Sequence, residues 1–362
     1  PFYPWSSDDG FSVTDFRAVN PALGNWGHIA NLSKNFDLVF DLVLNHCSRE
    51  NLWFADYIFG EEPACHYFIE VDPKENLSMV TRPRSTPVLT GVRTHRGMQH
   101  VWATFSNDQI DLNYKNPTVL LEFIDIILYY IRRGARMLRL DAVAYLWKEI
   151  GTNCIHLPQT HEVIKLIRDL LSIIEPGVLL LTETNVPHEE NISYFGDAGD
   201  EAQMVYNFSL PPLLLHCFLK ADITLLNRWT NSLDLPDNRT TFFNFTASLD
   251  GIGVRPLEGI VPPEDIEKLI EIVKKNGGTV SYRQNPDGTE SPYELNITYV
   301  DALRGDGAGG DEMHARRFLA SQSIALVLPG VPAVYIHSLL GSRNWDEGVR
   351  LTRRARTINR AK

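Results

Sequence analysis

Cysteine is scarce. Four residues in 362, Cys47, Cys65, Cys154 and Cys217, are too few and too scattered for a disulfide framework, and with no CxxC pair their spacing suggests no zinc site. A reduced, cytoplasmic setting is therefore expected. No apolar run approaches the roughly 18 to 20 residues of a membrane span, and the first residues do not read as a signal peptide. Positive charge is also short: 34 Lys and Arg stand against 45 Asp and Glu, a formal net charge of −11. This argues against a nucleic-acid or anionic-membrane partner, because counterion release needs clustered cations. Small molecules are the expected partners. Neither a G-x-G-x-x-G turn nor a Walker motif occurs, so no dinucleotide or P-loop nucleotide site is indicated.

What is present is an ordinary globular balance, 44% apolar and 22% charged, sufficient for a large core. Short apolar runs of buried-strand length recur at DLVFDLVL (37–44), ARMLRLD (135–141), GVLLLTE (177–183), AQMVYNF (202–208), TTFFNFTASLD (240–250) and PAVYIHS (332–338). Helical patterns lie between them, at 118–134, 161–174 and 262–278. Alternation of this kind specifies an α/β fold, either an open doubly wound sheet or a (β/α)8 barrel. The missing glycine-rich turn disfavours the open sheet. Polar clusters at successive strand ends, Asn45-His46, Asp141, Glu183 and Asp250, favour the barrel, which keeps its chemistry at that edge. Residues 49–116 interrupt the alternation as an inserted subdomain and 277–312 as a long excursion.

Arg139 and Asp141 stand two apart on a strand and so share a face. The guanidinium favours an ionised Asp141, as a nucleophile requires, whereas Glu183 after GVLLL is expected to be held protonated by desolvation. Two carboxyls roughly 5 to 5.5 Å apart would form a retaining glycoside-processing pair. Asp250 would then stabilise positive charge developing on the sugar. Singly, each of these residues is as easily explained by a turn, a cap or a structural ion pair.

The ordered segments DLVLNH, RLDAVAYL, LLLTETN and NFTASLDGIG resemble the four sequence regions of the α-amylase superfamily, glycoside hydrolase family 13. PFYPWSSDDGFSVTDF, RPRSTP, WATFSNDQIDLNY, SPYELNITYVDAL, GVPAVYIHSLLG and TINR are similar to its sucrose phosphorylase subfamily, with enzymes acting on glucosylglycerate or sucrose 6-phosphate as the nearest kinds. The resemblance implies a (β/α)8 barrel with the inserted subdomain after the third strand. Its domain reading is barrel over 1–48, inserted subdomain over 49–116, barrel over 117–276, acceptor-side excursion over 277–312 and barrel end over 313–362. It also implies that the chain lacks the family's first two strands and C-terminal β domain, and is a fragment.

For the site, the resemblance implies Asp141 as nucleophile, Glu183 as general acid/base and Asp250 as transition-state stabiliser. Asp8, Phe11, His46, Phe105, Arg139 and Arg360 would line the glucose pocket. Gln109 and Tyr145 would lie near the acceptor or phosphate, and Arg84 would bind phosphate, within a basic cluster that also holds Arg82, Arg93, His95 and Arg96. The expected activity is a retaining glucoside phosphorylase, with hydrolysis, transglucosylation or mere sugar binding as alternatives. Phosphate serves as cosubstrate, and no cofactor or metal is called for. One position departs from the family pattern: Leu249 replaces the His that precedes the stabilising Asp.

Overall fold

A computed structural model describes residues 1–84, 86–285, 288–304 and 310–362. It divides into two compact units, the first comprising 1–184, 200–203 and 284–289, the second 185–199, 204–283 and 290–362.

In the first unit three parallel strands run β1 (Leu38–Val43), β2 (Ala135–Asp141) and β3 (Leu179–Thr182), with β2 central. The register pairs Asp41 with Arg139 and Val43 with Asp141. On the other side Arg139 pairs with Leu181 and Leu140 with Thr182. Helix Pro117–Arg132 returns the chain from the inserted region to β2. It starts on the Asn116 cap, has proline in its first turn, and buries Val119, Phe123, Ile126, Ile127 and Tyr130 at helical spacing. Tyr3, Phe16, Phe40 and Phe123 are also buried in this unit. Residues 49–116 carry helix Leu52–Phe59, the hairpin Leu89–Thr94 with Gly97–Trp102, and a short pairing of His46–Ser48 with Gln109–Asp111.

The second unit contributes three more parallel strands, β4 (Met204–Tyr206), β5 (Thr241–Asn244) and β6 (Val331–Pro332), with β5 central. Helices Leu210–Lys220 and Pro263–Lys275 bury Leu210, Leu213, Leu214, Leu269 and Val273 in one cluster with Leu295 and Ile297. The segment 277–312 is more regular than a loop: Thr279–Gln284 and Glu290–Asn296 form strands. Pro286, Asp287 and residues 305–309 of that segment lie outside the described residues.

Two strands are shorter than the apolar runs suggest. The run 240–250 is strand only to Asn244, because the backbone further on bonds elsewhere: Asp250 N–H donates to Ser248 Oγ at 3.1 Å, and the carbonyls of Leu249 and Asp250 accept from Arg360 and Asn359. Likewise 332–338 is not a strand but leaves β6 at Pro332 and enters the short helix Ile336–Leu339. Hydrophobicity cannot distinguish a strand from a well-packed turn. Among the described residues, no helix is long and apolar enough to cross a membrane.

Candidate active site

The first unit gathers three carboxylates around one guanidinium. Because Asp41 is the register neighbour of Arg139, and Asp141 lies two residues along the same strand, all three side chains share a face. Arg139 Nη1 is 2.6 Å from Asp41 Oδ1 and 2.8 Å from Asp141 Oδ1, while Nη2 lies 3.9 Å from Glu183 Oε1. Glu183 follows the last residue of β3, and its Oε2 accepts from Ala142 N–H at 3.2 Å. Ala142 takes that position with φ of +49°, a backbone conformation unfavourable for a residue with a Cβ. Strain at this turn directs an N–H at the second carboxylate.

Asp141 is 7% exposed, and burial pushes its carboxyl up from the ordinary aspartate value, with Arg139 and then His46 pulling it back. The expectation that Arg139 would dominate is thus corrected. Desolvation of a fully enclosed carboxylate outweighs one shared guanidinium, which also serves Asp41.

His46 sits at the edge of the same cluster. Its Nε2 lies 2.8 Å from the Phe11 carbonyl and 3.1 Å from Gln109 Nε2, and its Nδ1 lies 3.2 Å from Asn45 Nδ2. Asn45 is set in turn by Lys148, whose Nζ is 2.6 Å from Asn45 Oδ1 and 2.6 Å from Asp111 Oδ2. Lys148 and Asp111 are both buried, and Asp111 also accepts from Thr104 and Asn45. Gln109 Nε2 donates to Asp8 Oδ2 and the Phe11 carbonyl, both at 3.3 Å. Phe11 lies under Arg139, with 5.5 Å between guanidinium and ring centroid, and Phe105 stands between His46 and Tyr145 at 5.4 and 5.3 Å.

The basic cluster is not one site. Arg96 is ion-paired with Glu70, Arg82 bonds Gln284, and His95 packs at Gly60 against the Ile58 carbonyl. Arg84 is half-buried, and its neighbour Ser85 lies outside the described residues.

In the second unit Asp250 is held by two arginines, Arg356 Nη1 at 2.6 Å and Arg360 Nη2 at 3.2 Å. Arg356 is itself gripped by Glu294, which is 1% exposed, through Nε–Oε2 of 2.8 Å and Nη2–Oε1 of 2.6 Å. A guanidinium fixed in this way orients Asp250. Asp250 shares a cavity with Phe208, Phe245, Tyr299, Tyr335 and His337. Gly251 is needed for close approach, since a Cβ there would meet the Leu295 carbonyl at 2.7 Å; neither Gly251 nor Gly253 has a positive φ.

Sequence reasoning missed Asp41, Asp111, Lys148, Glu294 and Arg356. Lys148 alone carried a signal, as a single cation in the apolar stretch AVAYLWKEI.

The model of the α-amylase catalytic domain matches residues 1–232. The chain belongs to the α-amylase family. Its fold is that family's (β/α)8 barrel, as agreement with the crystal structure of sucrose 6F-phosphate phosphorylase from Thermoanaerobacter thermosaccharolyticum also shows, with a TM-score of 0.87 at 26% identity over 99% of this chain and 74% of that one. Among family members, glucosylglycerate phosphorylase of Spirochaeta thermophila is 52% identical and that of Escherichia coli 50%, each over the whole of this chain. Sucrose phosphorylase of Bifidobacterium adolescentis is 29% identical over 98% of it. The chain spans 61% and 65% of the two glucosylglycerate phosphorylases.

Arg356 gives a prediction of its own for this α-amylase family site. Arg356→Lys keeps the charge but cannot serve Glu294 bidentately and Asp250 at once, so turnover should fall by ~10- to 100-fold, ~1.4 to 2.7 kcal/mol on the barrier. Steady-state kinetics check it, and unchanged kcat would remove Arg356 from the account of Asp250.

Proposed function

We propose that the chain is the catalytic part of a retaining glucoside phosphorylase that takes glucosylglycerate. The observation that carries this reading is 52% identity to a glucosylglycerate phosphorylase over all 362 residues, against 29% to a sucrose phosphorylase. The four family regions, with Asp141, Glu183 and Asp250 in place, support the chemistry.

In this proposal an Asp141 oxygen attacks the anomeric carbon as the bond to the glycerate oxygen breaks, and Glu183 gives that oxygen its proton. A phosphate oxygen then attacks the same carbon, its proton passes to Glu183, and the Asp141 ester bond breaks. Two inversions leave α-glucose 1-phosphate. Asp250, oriented by Arg356, stabilises the positive charge that develops on the ring during each step. Arg139, His46, Asp8, Phe11, Phe105 and Arg360 hold the glucose, Gln109 and Tyr145 the acceptor side, and Arg84 the phosphate. Four unpaired cysteines suit a cytoplasmic enzyme.

Incubation of glucosylglycerate with and without phosphate tests the reading. Glucose 1-phosphate should form only with phosphate, and free glucose released at the same rate in both would favour a hydrolase. In the reverse direction, α-glucose 1-phosphate should be consumed fastest with glycerate when fructose and fructose 6-phosphate are the competitors. Leu249→His should raise kcat/KM by one to two decades, since a hydrogen bond to the sugar that strengthens in the transition state contributes about 1 to 3 kcal/mol. No change would mean that position 249 does not meet the sugar.

A further inference from the structure

We propose that Glu62, Cys65 and His66 form a binding site for a zinc-class divalent cation. The segment Glu62-Pro-Ala-Cys-His follows helix Leu52–Phe59, which stops at Gly60 with φ of +82°, and ends in a short 3-10 turn over Ala64–His66. The three side chains converge on one another. His66 Nε2 is 3.1 Å from Glu62 Oε1, and one ligand atom from each of the three residues lies within 4.8 Å of the others.

A cation bound here takes the place of the thiol proton, which Cys65 must lose to become a ligand. In a tetrahedral zinc site the ligand atoms stand roughly 3.5 Å apart, given bonds of about 2.0 to 2.3 Å. Closing from the observed spacing needs only side-chain rotation, and the side chains of Glu62 and His66 are each 70% exposed and able to make it. The backbone beneath them is already fixed. Cys65 N–H donates to the Glu61 carbonyl at 2.9 Å, Tyr67 N–H to that of Ala64 at 3.0 Å, and the His66 carbonyl accepts from Asn116 Nδ2 at 3.2 Å. The backbone therefore adds little ordering cost to binding.

A thiolate, an imidazole and one carboxylate select a borderline-soft ion over calcium or magnesium, which prefer oxygen ligands. Three protein ligands leave the fourth position to water. The residues face a cavity of about 680 Å³ also lined by His95, Glu70 and Lys115, with Arg96 there ion-paired to Glu70. None of Glu62, Cys65 and His66 belongs to the carboxylate site around Arg139. Spacing along the chain gave no hint of a metal, because E-x-x-C-H offers no CxxC signature.

The test is titration of the reduced, metal-free protein with Co2+ and then Zn2+. One equivalent of Co2+ should produce a thiolate-to-metal charge-transfer band that Zn2+ abolishes, and saturating Zn2+ should raise the melting temperature. Cys65→Ser should lose the band, His66→Ala should weaken binding at least about tenfold, and Cys217→Ser should leave both unchanged. Matching circular dichroism and melting of the metal-free variants controls for folding. A band that survives Cys65→Ser, or Zn2+ affinity unaltered by His66→Ala in a folded protein, overturns the proposal, as does wild-type protein that retains no metal.

Discussion

Asp141→Asn should reduce glucose 1-phosphate formation by about 10⁴-fold or more, the loss typical of removing a nucleophile from a preorganised site. The variant isolates chemistry from folding because an amide oxygen can still accept from Arg139 at the 2.8 Å position. Melting temperature should therefore move little while turnover collapses. Activity above ~1% of wild type, with a clean preparation, would exclude Asp141 as the attacking group, since an amide does not form the ester and another group would have to do so. The pH profile carries a linked expectation. Attack needs the ionised carboxylate, and burial raises the Asp141 pKa, so kcat/KM should fall on the acid side at a higher pH than an ordinary aspartate near 3.9 would give. An acid limb at or below that value would mean that Arg139 outweighs burial.

Lys148→Met should cost about 3 to 5 kcal/mol of stability, the penalty for leaving a buried carboxylate without its cation. Asp111 is fully buried and Lys148 Nζ lies 2.6 Å from it. The remaining donors to Asp111, from Thr104 and Asn45, are neutral and do not replace the charge. Thermal unfolding should show a fall of roughly 10 °C on the scaling for large domains. Pairing the change with Asp111→Asn should recover part of the loss, because the unpaired charge is then gone. A single variant as stable as wild type would show that water reaches Asp111. Catalysis should fall further than stability explains, because Lys148 sets Asn45, and Asn45 holds the His46 ring.

The alternation of apolar runs and helical patterns was legible because buried strands and amphipathic helices impose their periods directly on side chains. β2 matches its predicted bounds of 135–141 to the residue, and Arg139 with Asp141 on one face follows from strand geometry alone. The strand end near Asp250 was less legible. The carbonyls of Leu249 and Asp250 accept from Arg360 and Asn359, and no local pattern announces a partner more than a hundred residues away.

By itself the sequence determined the α/β class, the barrel through its ordered motifs, and the identities of the carboxylates at the strand ends. Charge balance and residue type are fixed one position at a time. Only the tertiary structure decided what each carboxylate experiences. Burial outweighs Arg139 at Asp141, Glu294 and Arg356 hold Asp250, Lys148 sets His46 through Asn45, and His95 and Arg96 are drawn from the phosphate cluster to the cavity beside Cys65. The reason is physical: desolvation and pairing depend on which side chains the fold brings within a few ångströms, and those partners come from distant parts of the chain.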